Sequence, residues 1–181
     1  MLALILALAA PAPVKVLVAY HSKGGHTAAL AKAVEEGARK AGADVALRKV
    51  ADVKCEELKG TDALIVGTPV YWSNMAGEVK TFFDRFTTEC RFLPPEFPMK
   101  DKLGAAFVTG GEASSGKEIA LMTILAAMLG NRMLVASEGQ ALGATATTGE
   151  GKEPLQEKEL VEGRRLGERV ARLAKRLRQD P

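Results

Sequence analysis

The chain has 181 residues, of which 47% are hydrophobic and 26% are charged, a composition that fits one soluble globular domain rather than two. Its formal net charge of +3, with no basic stripe that interleaves aromatic side chains, gives no case for binding nucleic acid. The two histidines exclude a His-rich zinc site, and since no CxxC spacing occurs we expect Cys55 and Cys90 to be reduced thiols in a cytoplasmic protein.

The first segment, residues 1–13, reads MLALILALAAPAP. It carries no Lys or Arg before its apolar run, and it is too short to form a stable membrane span. We interpret it as an N-terminal apolar extension or the product of an early start codon, rather than a working secretory signal. A single domain at 14–178 is expected to follow.

Strand-like and helix-like patterns then alternate. Short apolar, β-branched runs predict strands at 14–20, 45–50, 62–67, 102–110 and 132–137. Helical spacing predicts helices at 27–41, 76–89, 117–129 and 155–177, the last with a buried stripe of Leu166, Val170, Leu173 and Leu177. This alternation predicts an α/β fold with a parallel sheet, and such sheets bind ligands at the carboxyl ends of their strands.

The loop after the first strand reads HSKGGHT, residues 21–27. It opens a helix, whose free N–H groups and partial positive charge suit an anion. Ser22 and Thr27 can donate hydroxyl hydrogen bonds, while Gly24 and Gly25 let the backbone approach a phosphate closely. A phosphate site and an ordinary strand-to-helix turn both remain open on this loop alone, which matches neither GxGxxG nor GxxxxGK[ST].

The loop after the third strand reads GTPVYWSNM, residues 67–75. Pro69 stiffens the turn, and Tyr71 and Trp72 stand side by side. Because the chain has only two Tyr and one Trp, their position at a strand's carboxyl end indicates that they flank a flat ring. The alternative is that both simply pack under the loop.

The loop after the fourth strand reads TGGEASSGKE, residues 109–118. Its Gly111–Lys117 portion matches GxxxxGK, but Glu118 stands where a nucleotide-triphosphate site needs a Mg²⁺-binding Ser or Thr. A flexible, amide-rich loop that lines the polar edge of a ring is the better interpretation. One loop that suits a phosphate and two that suit a planar ring together indicate FMN.

On these stretches the sequence resembles the flavodoxin-like family, and within it the WrbA type of NAD(P)H:quinone oxidoreductase. The matching segments are VLVAYHSKGGHTAALAKAVEEGA, DALIVGTPVYWSNMAGEVKTFFD, GAAFVTGGEASSGKE and GATATTG. The resemblance implies a five-stranded parallel sheet in the order 2-1-3-4-5 with helices on both faces, and non-covalent FMN reduced by NAD(P)H. It also implies a homodimer or homotetramer, although the 51–61 connection is shorter than in that type.

By position, the resemblance implies an FMN site. We assign it no metal, and no catalytic side chain because hydride transfer is largely the cofactor's own chemistry. The phosphate would bind at Ser22, Lys23, Gly24, Gly25, His26 and Thr27. The isoalloxazine would be bordered by Pro69, Val70, Tyr71, Trp72 and Asn74, and its pyrimidine and ribityl side by Thr109, Gly110, Gly111, Glu112 and Ser114. Two positions depart from that type: Gly24 replaces a Tyr near the nicotinamide, and Leu129 replaces a His.

Two flavin functions follow. One is an enzyme that passes two electrons from NAD(P)H to a quinone or similar acceptor, and the other is a flavodoxin-type one-electron carrier. Acidic residues around the ring would favour the carrier by disfavouring reduced, anionic flavin, whereas Lys23 and Lys117 here offset Glu112 and Glu118. A phospho-acceptor receiver is excluded, because Tyr20 and His21 stand where it needs an acid.

Overall fold

A largely parallel sheet forms the centre of the computed structural model, which describes residues 12–138, 141–151 and 153–179. The strands are β1 (Lys15–Tyr20), β2 (Asp44–Lys49), β3 (Ala63–Tyr71), β4 (Asn74–Met75), β5 (Leu103–Gly110), β6 (Leu134–Val135) and β7 (Ala144–Thr147). The sheet order is β2-β1-β3-β5-β6, with β4 paired antiparallel to β3 and β7 paired parallel to β5. This confirms the predicted order of the five-position core.

The fifth position of the sheet is split between two short strands, whereas the sequence predicted one strand at 132–137. The β6 strand pairs with the start of β5, and β7 pairs with its end. The segment 144–147, where the sequence predicted no strand, therefore supplies β7. Gly143 stands where the chain rejoins the sheet, and a Cβ there would lie 2.1 Å from the carbonyl oxygen of Ala106.

Helices cover both faces of the sheet, as expected. They are α1 (His26–Lys40), α2 (Cys55–Gly60), α3 (Gly77–Thr88), α4 (Lys117–Gly130) and α5 (Glu157–Gln179). One core joins α1 and α5 to the sheet, and the other includes α2, α3 and α4. The short α2 and the two-residue β4 were not predicted, because neither is long enough to show a period.

The α1 and α5 helices pack with their backbones in near contact. A Cβ on Gly37 would lie 1.9 Å from the carbonyl oxygen of Arg164, and a Cβ on Gly167 would lie 1.9 Å from that of Val34. This close packing fixes α1, whose first turn lies at the carboxyl edge of the sheet. The predicted α5 stripe is correct at its start but wrong at Leu177, which is 42% exposed.

The two cysteines form a disulfide, so the expectation of reduced thiols was wrong. Cys55 at the start of α2 is bonded to Cys90, which follows α3, and their Cα atoms are 5.4 Å apart. The spacing of 35 residues gave no sign of pairing, because only the packing of α3 beside α2 brings the two side chains together.

Residues 1–11 of the predicted N-terminal extension lie outside the described residues. At its end, the carbonyl groups of Ala12 and Pro13 accept hydrogen bonds from Arg178 on α5, at 2.9 and 3.0 Å. The predicted domain boundaries at 14 and 178 stay a prediction.

Candidate functional site

The loop between β1 and α1 presents a helix N-terminus at the carboxyl edge of the sheet. Gly25 precedes α1 with a φ of 94°, a left-handed conformation that favours glycine. Its N–H donates to the Ser22 hydroxyl at 3.1 Å, which closes the loop on itself. The first turn of α1 carries no acidic residue. Its unpaired N–H groups can therefore attract an anion without a competing carboxylate.

A buried pair of hydroxyl groups joins this loop to β5. The Oγ1 atoms of Thr27 and Thr109 are 2.8 Å apart, and both side chains are buried. The sequence placed both residues at the cofactor, and the structure brings them together although they lie 82 residues apart. Each hydroxyl is a partner of the other. The pair therefore joins the first loop (residues 21–27) to the third loop (residues 109–118). With the second loop (residues 67–75), these form what we call the rim, at the carboxyl edge of the sheet.

The second loop is a tight hairpin rather than an irregular turn. Strand β3 continues through Pro69 to Tyr71, and Tyr71 pairs with Asn74 of β4. Trp72 and Ser73 form the two-residue turn, with φ values of 50° and 61°, as a type I′ hairpin requires.

The two hairpin aromatics are exposed. The Trp72 side chain is fully exposed and that of Tyr71 is 42% exposed. The alternative that both pack under the loop is therefore wrong for Trp72. A non-glycine residue in left-handed conformation costs roughly 1–2 kcal/mol, so the fold holds a large aromatic ring in solvent at an energetic cost. Such a ring is available to stack on a planar ligand.

The hairpin is held against the third loop by close backbone contact. Gly116 has a φ of 83°, and a Cβ on it would lie 2.5 Å from the Cα of Ser73. The Asn74 carboxamide oxygen accepts hydrogen bonds from the Thr123 hydroxyl of α4 and from the N–H of Met75. Predicted to border the ring, Asn74 thus also fastens the hairpin to α4.

The third loop begins at the buried Gly110 and runs over the end of β7. An ideal Cβ on Gly111 would lie 3.6 Å from the carbonyl oxygen of Gly149. The Ser115 hydroxyl donates to the carbonyl oxygen of Glu112 at 2.9 Å. Gly111, Glu112 and Ser114 are exposed and therefore accessible to a ligand.

Two residues at this edge have contacts that the sequence did not suggest. His26 donates from Nε2 to the carbonyl oxygen of Glu153 at 2.9 Å, so its ring fixes the segment that follows β7. Lys117 is buried and donates to the Thr147 hydroxyl at 2.6 Å. The predicted site omitted Lys117, although its place directly after a glycine-rich loop was a visible signal.

The rim formed by the three loops lies at the protein surface, where residues 23–25 and 111–114 are exposed. Two hollows in the protein surface lie on either side of α3. One, of about 630 Å³, lies between α3 and α4 and is lined partly by Met75 and Phe83. The other, of about 620 Å³, is lined partly by Ala51 and Arg85. Residues 23–25 are exposed, so the predicted phosphate site is a surface feature.

The donor chemistry of the rim fits FMN. Residues 22–25 bring backbone N–H groups and the Ser22 hydroxyl to the start of α1, where residues 23–25 are exposed. An ideal Cβ on Gly25 would meet no atom within 4 Å, so space is open before the helix. Such a set suits a phosphate dianion, and exposed Trp72 suits a planar ring. In the described parts of the chain, no group of three His, Cys, Asp or Glu side chains could hold a metal ion.

Among the described helices, none combines the length and hydropathy that a bilayer crossing requires.

Comparison with known proteins gives consistent matches. The family model described as NADPH-dependent FMN reductase matches residues 54–148. A flavodoxin from Clostridium saccharobutylicum is 35% identical, over 90% of this chain and 99% of that protein. An NAD(P)H dehydrogenase (quinone) from Bradyrhizobium sp. (strain ORS 278) is 32% identical, over 90% and 98%. The structure of the flavodoxin, WrbA-like protein from Agrobacterium tumefaciens superposes with a TM-score of 0.75, at 25% identity, over 90% and 98% of the two chains.

Proposed function

Because the chain belongs to the NADPH-dependent FMN reductase family of flavodoxin-like proteins, we propose that it is an FMN-dependent oxidoreductase. It passes two electrons from NAD(P)H to a quinone or a similar acceptor. The observation that carries the proposal is the single rim at the sheet's carboxyl edge, where the Thr27–Thr109 pair and the Gly116–Ser73 contact bring three loops together. An amide-rich anion site and an exposed aromatic ring on one rim fit the two ends of FMN.

The residues of the rim have separate tasks in this proposal. Ser22, Lys23, Gly24 and the N–H groups of the first α1 turn bind the phosphate. Trp72 and Tyr71 cover the ring and exclude water from it. The loop from Gly110 to Ser114 supplies backbone groups to the polar edge of the ring.

When bound, FMN supplies the ring that accepts a hydride and passes the electrons on. The chain's own contribution is then to bind, orient and desolvate the cofactor. Hydride transfer requires no side chain of this rim as an acid or base, because it is largely the cofactor's own chemistry.

A one-electron carrier is the second candidate, and the relative named flavodoxin favours it. The charges at the rim favour the enzyme instead. Lys23 is exposed beside the phosphate loop and Lys117 is buried beneath the third loop. Cations here stabilise reduced, anionic flavin, whereas a low-potential carrier must destabilise it.

The proposal includes a cytoplasmic location, where NAD(P)H is found, and a homodimer or homotetramer. The Cys55–Cys90 disulfide is typical of oxidising compartments, with the intracellular proteins of hyperthermophiles as the exception. Fractionation of the native host and light scattering of the purified protein test these two points.

The central test is the spectrum and turnover of the purified protein. We expect a flavin absorbance band after addition of FMN and removal of the excess, and oxidation of NADH or NADPH with benzoquinone as acceptor. Bound FMN without oxidation of either nucleotide would assign the carrier function. No bound FMN would refute both candidates.

A variant of the phosphate loop locates the site. Ser22→Ala removes a hydroxyl that can donate to the phosphate, and a hydrogen bond to a charged group contributes about 1.5–3 kcal/mol. We expect FMN to bind roughly 10- to 150-fold more weakly. Ser137→Ala, at an exposed position outside the rim, is the control and should leave the affinity unchanged.

A further inference from the structure

Lys117 is a buried cation beneath the third loop. It is the first residue of α4 and is only 5% exposed. Its ammonium group donates to the Thr147 hydroxyl at 2.6 Å. The aliphatic stem crosses Gly110, where a Cβ would lie 3.0 Å from Lys117 Cγ. The side chain therefore lies beneath the third loop instead of extending into solvent.

Two physical effects disfavour a cation in this position. Burial removes much of the water that stabilises an ammonium group. The N-terminus of a helix carries partial positive charge, which repels a cation and attracts an anion. A residue that conflicts with its local surroundings in two ways indicates a functional constraint.

The described residues offer Lys117 no direct ion pair that would offset these effects. Among them, no carboxylate oxygen lies within the 4.0 Å of Lys117 Nζ that defines an ion pair. The buried Glu159 is nearby in the same network, but its two carboxylate oxygens accept from the backbone N–H groups of Thr147 and Gln156. Lys117 thus reaches the Thr147 side chain while Glu159 binds its backbone.

The ammonium group lies at the part of the rim assigned to the polar edge of the ring. Thr147 pairs with Gly110 in the sheet, and the N–H of Thr148 donates to the Gly110 carbonyl oxygen at 2.8 Å. Gly110 and Gly111 begin the third loop. The cation is therefore next to the backbone that would line the pyrimidine side of FMN.

We propose that Lys117 is an electrostatic positioning residue that stabilises the reduced cofactor relative to the oxidised one, and so raises its reduction potential. The inference rests on the proposed FMN site. Hydride transfer to FMN adds one negative charge to the cofactor, and a nearby fixed cation favours the more negative form. It also explains why Lys117, the last residue of a GxxxxGK pattern, is buried on Thr147 rather than extended toward a nucleotide triphosphate.

The experiment compares the midpoint potential of bound FMN, measured by dye equilibration, in wild type and Lys117→Gln. We expect the affinity for reduced FMN to fall at least about tenfold more than that for oxidised FMN. For a two-electron couple this corresponds to a potential lower by about 30 mV. Equal weakening of both affinities, with an unchanged potential, would mean that Lys117 only braces the loop and would overturn the proposal.

Two further variants keep the result interpretable. Lys117→Arg retains the charge and should retain the potential even if the glutamine variant folds poorly; a drop as large as about 30 mV in the arginine variant would contradict an electrostatic role. Lys175→Gln makes the same charge change at an exposed position on α5 and should leave the potential unaltered. If wild type binds no FMN, the proposed function fails together with this inference; if FMN binds and only the potential is insensitive to Lys117, this inference alone fails.

Discussion

Truncation of Trp72 should separate function from stability more cleanly than any other change in this chain. Its side chain is fully exposed, so Trp72→Ala removes no buried area. Exposed substitutions of this kind change the free energy of unfolding by less than about 0.5 kcal/mol. Trp72→Gly should stabilise the protein by up to about 1 kcal/mol, because the φ of 50° is strained for tryptophan and allowed for glycine.

The effect on the cofactor should be the opposite. Stacking of an aromatic side chain on a nucleic-acid base contributes about 1–3 kcal/mol by alanine substitution, and we apply the same scale to the FMN ring. Trp72→Ala should then weaken FMN binding by roughly 5- to 150-fold. The measurements are quenching of FMN fluorescence on titration, and urea unfolding of the protein without FMN.

Leu177→Ala is the matched control, because it truncates a partly exposed apolar side chain on α5, outside the rim. It should leave the FMN affinity unchanged. If Trp72→Ala lost more than about 1 kcal/mol of unfolding free energy while its FMN affinity equalled that of wild type, the assignment of Trp72 to the ring would be refuted.

Three other changes test the structure around the rim. In Gly116→Ala the new Cβ would lie 2.5 Å from the Cα of Ser73 and must displace the hairpin. The loss of FMN-binding free energy should therefore exceed the loss of unfolding free energy that the change in Tm reports. An FMN affinity equal to that of wild type would contradict that contact. Replacing both Cys55 and Cys90 by Ser opens a loop of 35 residues. The free energy of unfolding should fall by about 4 kcal/mol by chain entropy, and the Tm by roughly 8–16 °C. An unchanged Tm would show that the bridge does not form in solution. Burial lowers the pKa of Lys102 below its usual 10.5, so the unfolded chain binds the proton more tightly, and this destabilising contribution disappears as pH rises toward 10.5. Urea unfolding between pH 8 and about 10.5 should therefore show wild type gaining stability relative to Lys102→Met. Parallel pH profiles of the two proteins would contradict the lowered pKa.

The sequence by itself determined the layered architecture and the edge of the sheet where the rim lies. Alternating apolar periods define which segments are strands and which are helices, because each buries its own face. The order of the loops along the chain then places residues 21–27, 67–75 and 109–118 at strand carboxyl ends. The residues proposed for FMN follow from that pattern and from the resemblance, and they stay a prediction.

Only the tertiary structure decided how those loops meet. No periodic signal in the sequence marks three of these features, because each is set by pairing with another segment of the chain. They are the β4 hairpin that exposes Trp72, the split between β6 and β7, and the Cys55–Cys90 bridge. The burial of Lys117 depends likewise on Thr147, 30 residues away. Local sequence fixes the conformation of a segment, whereas a site built from several loops depends on contacts that form only when the sheet has assembled.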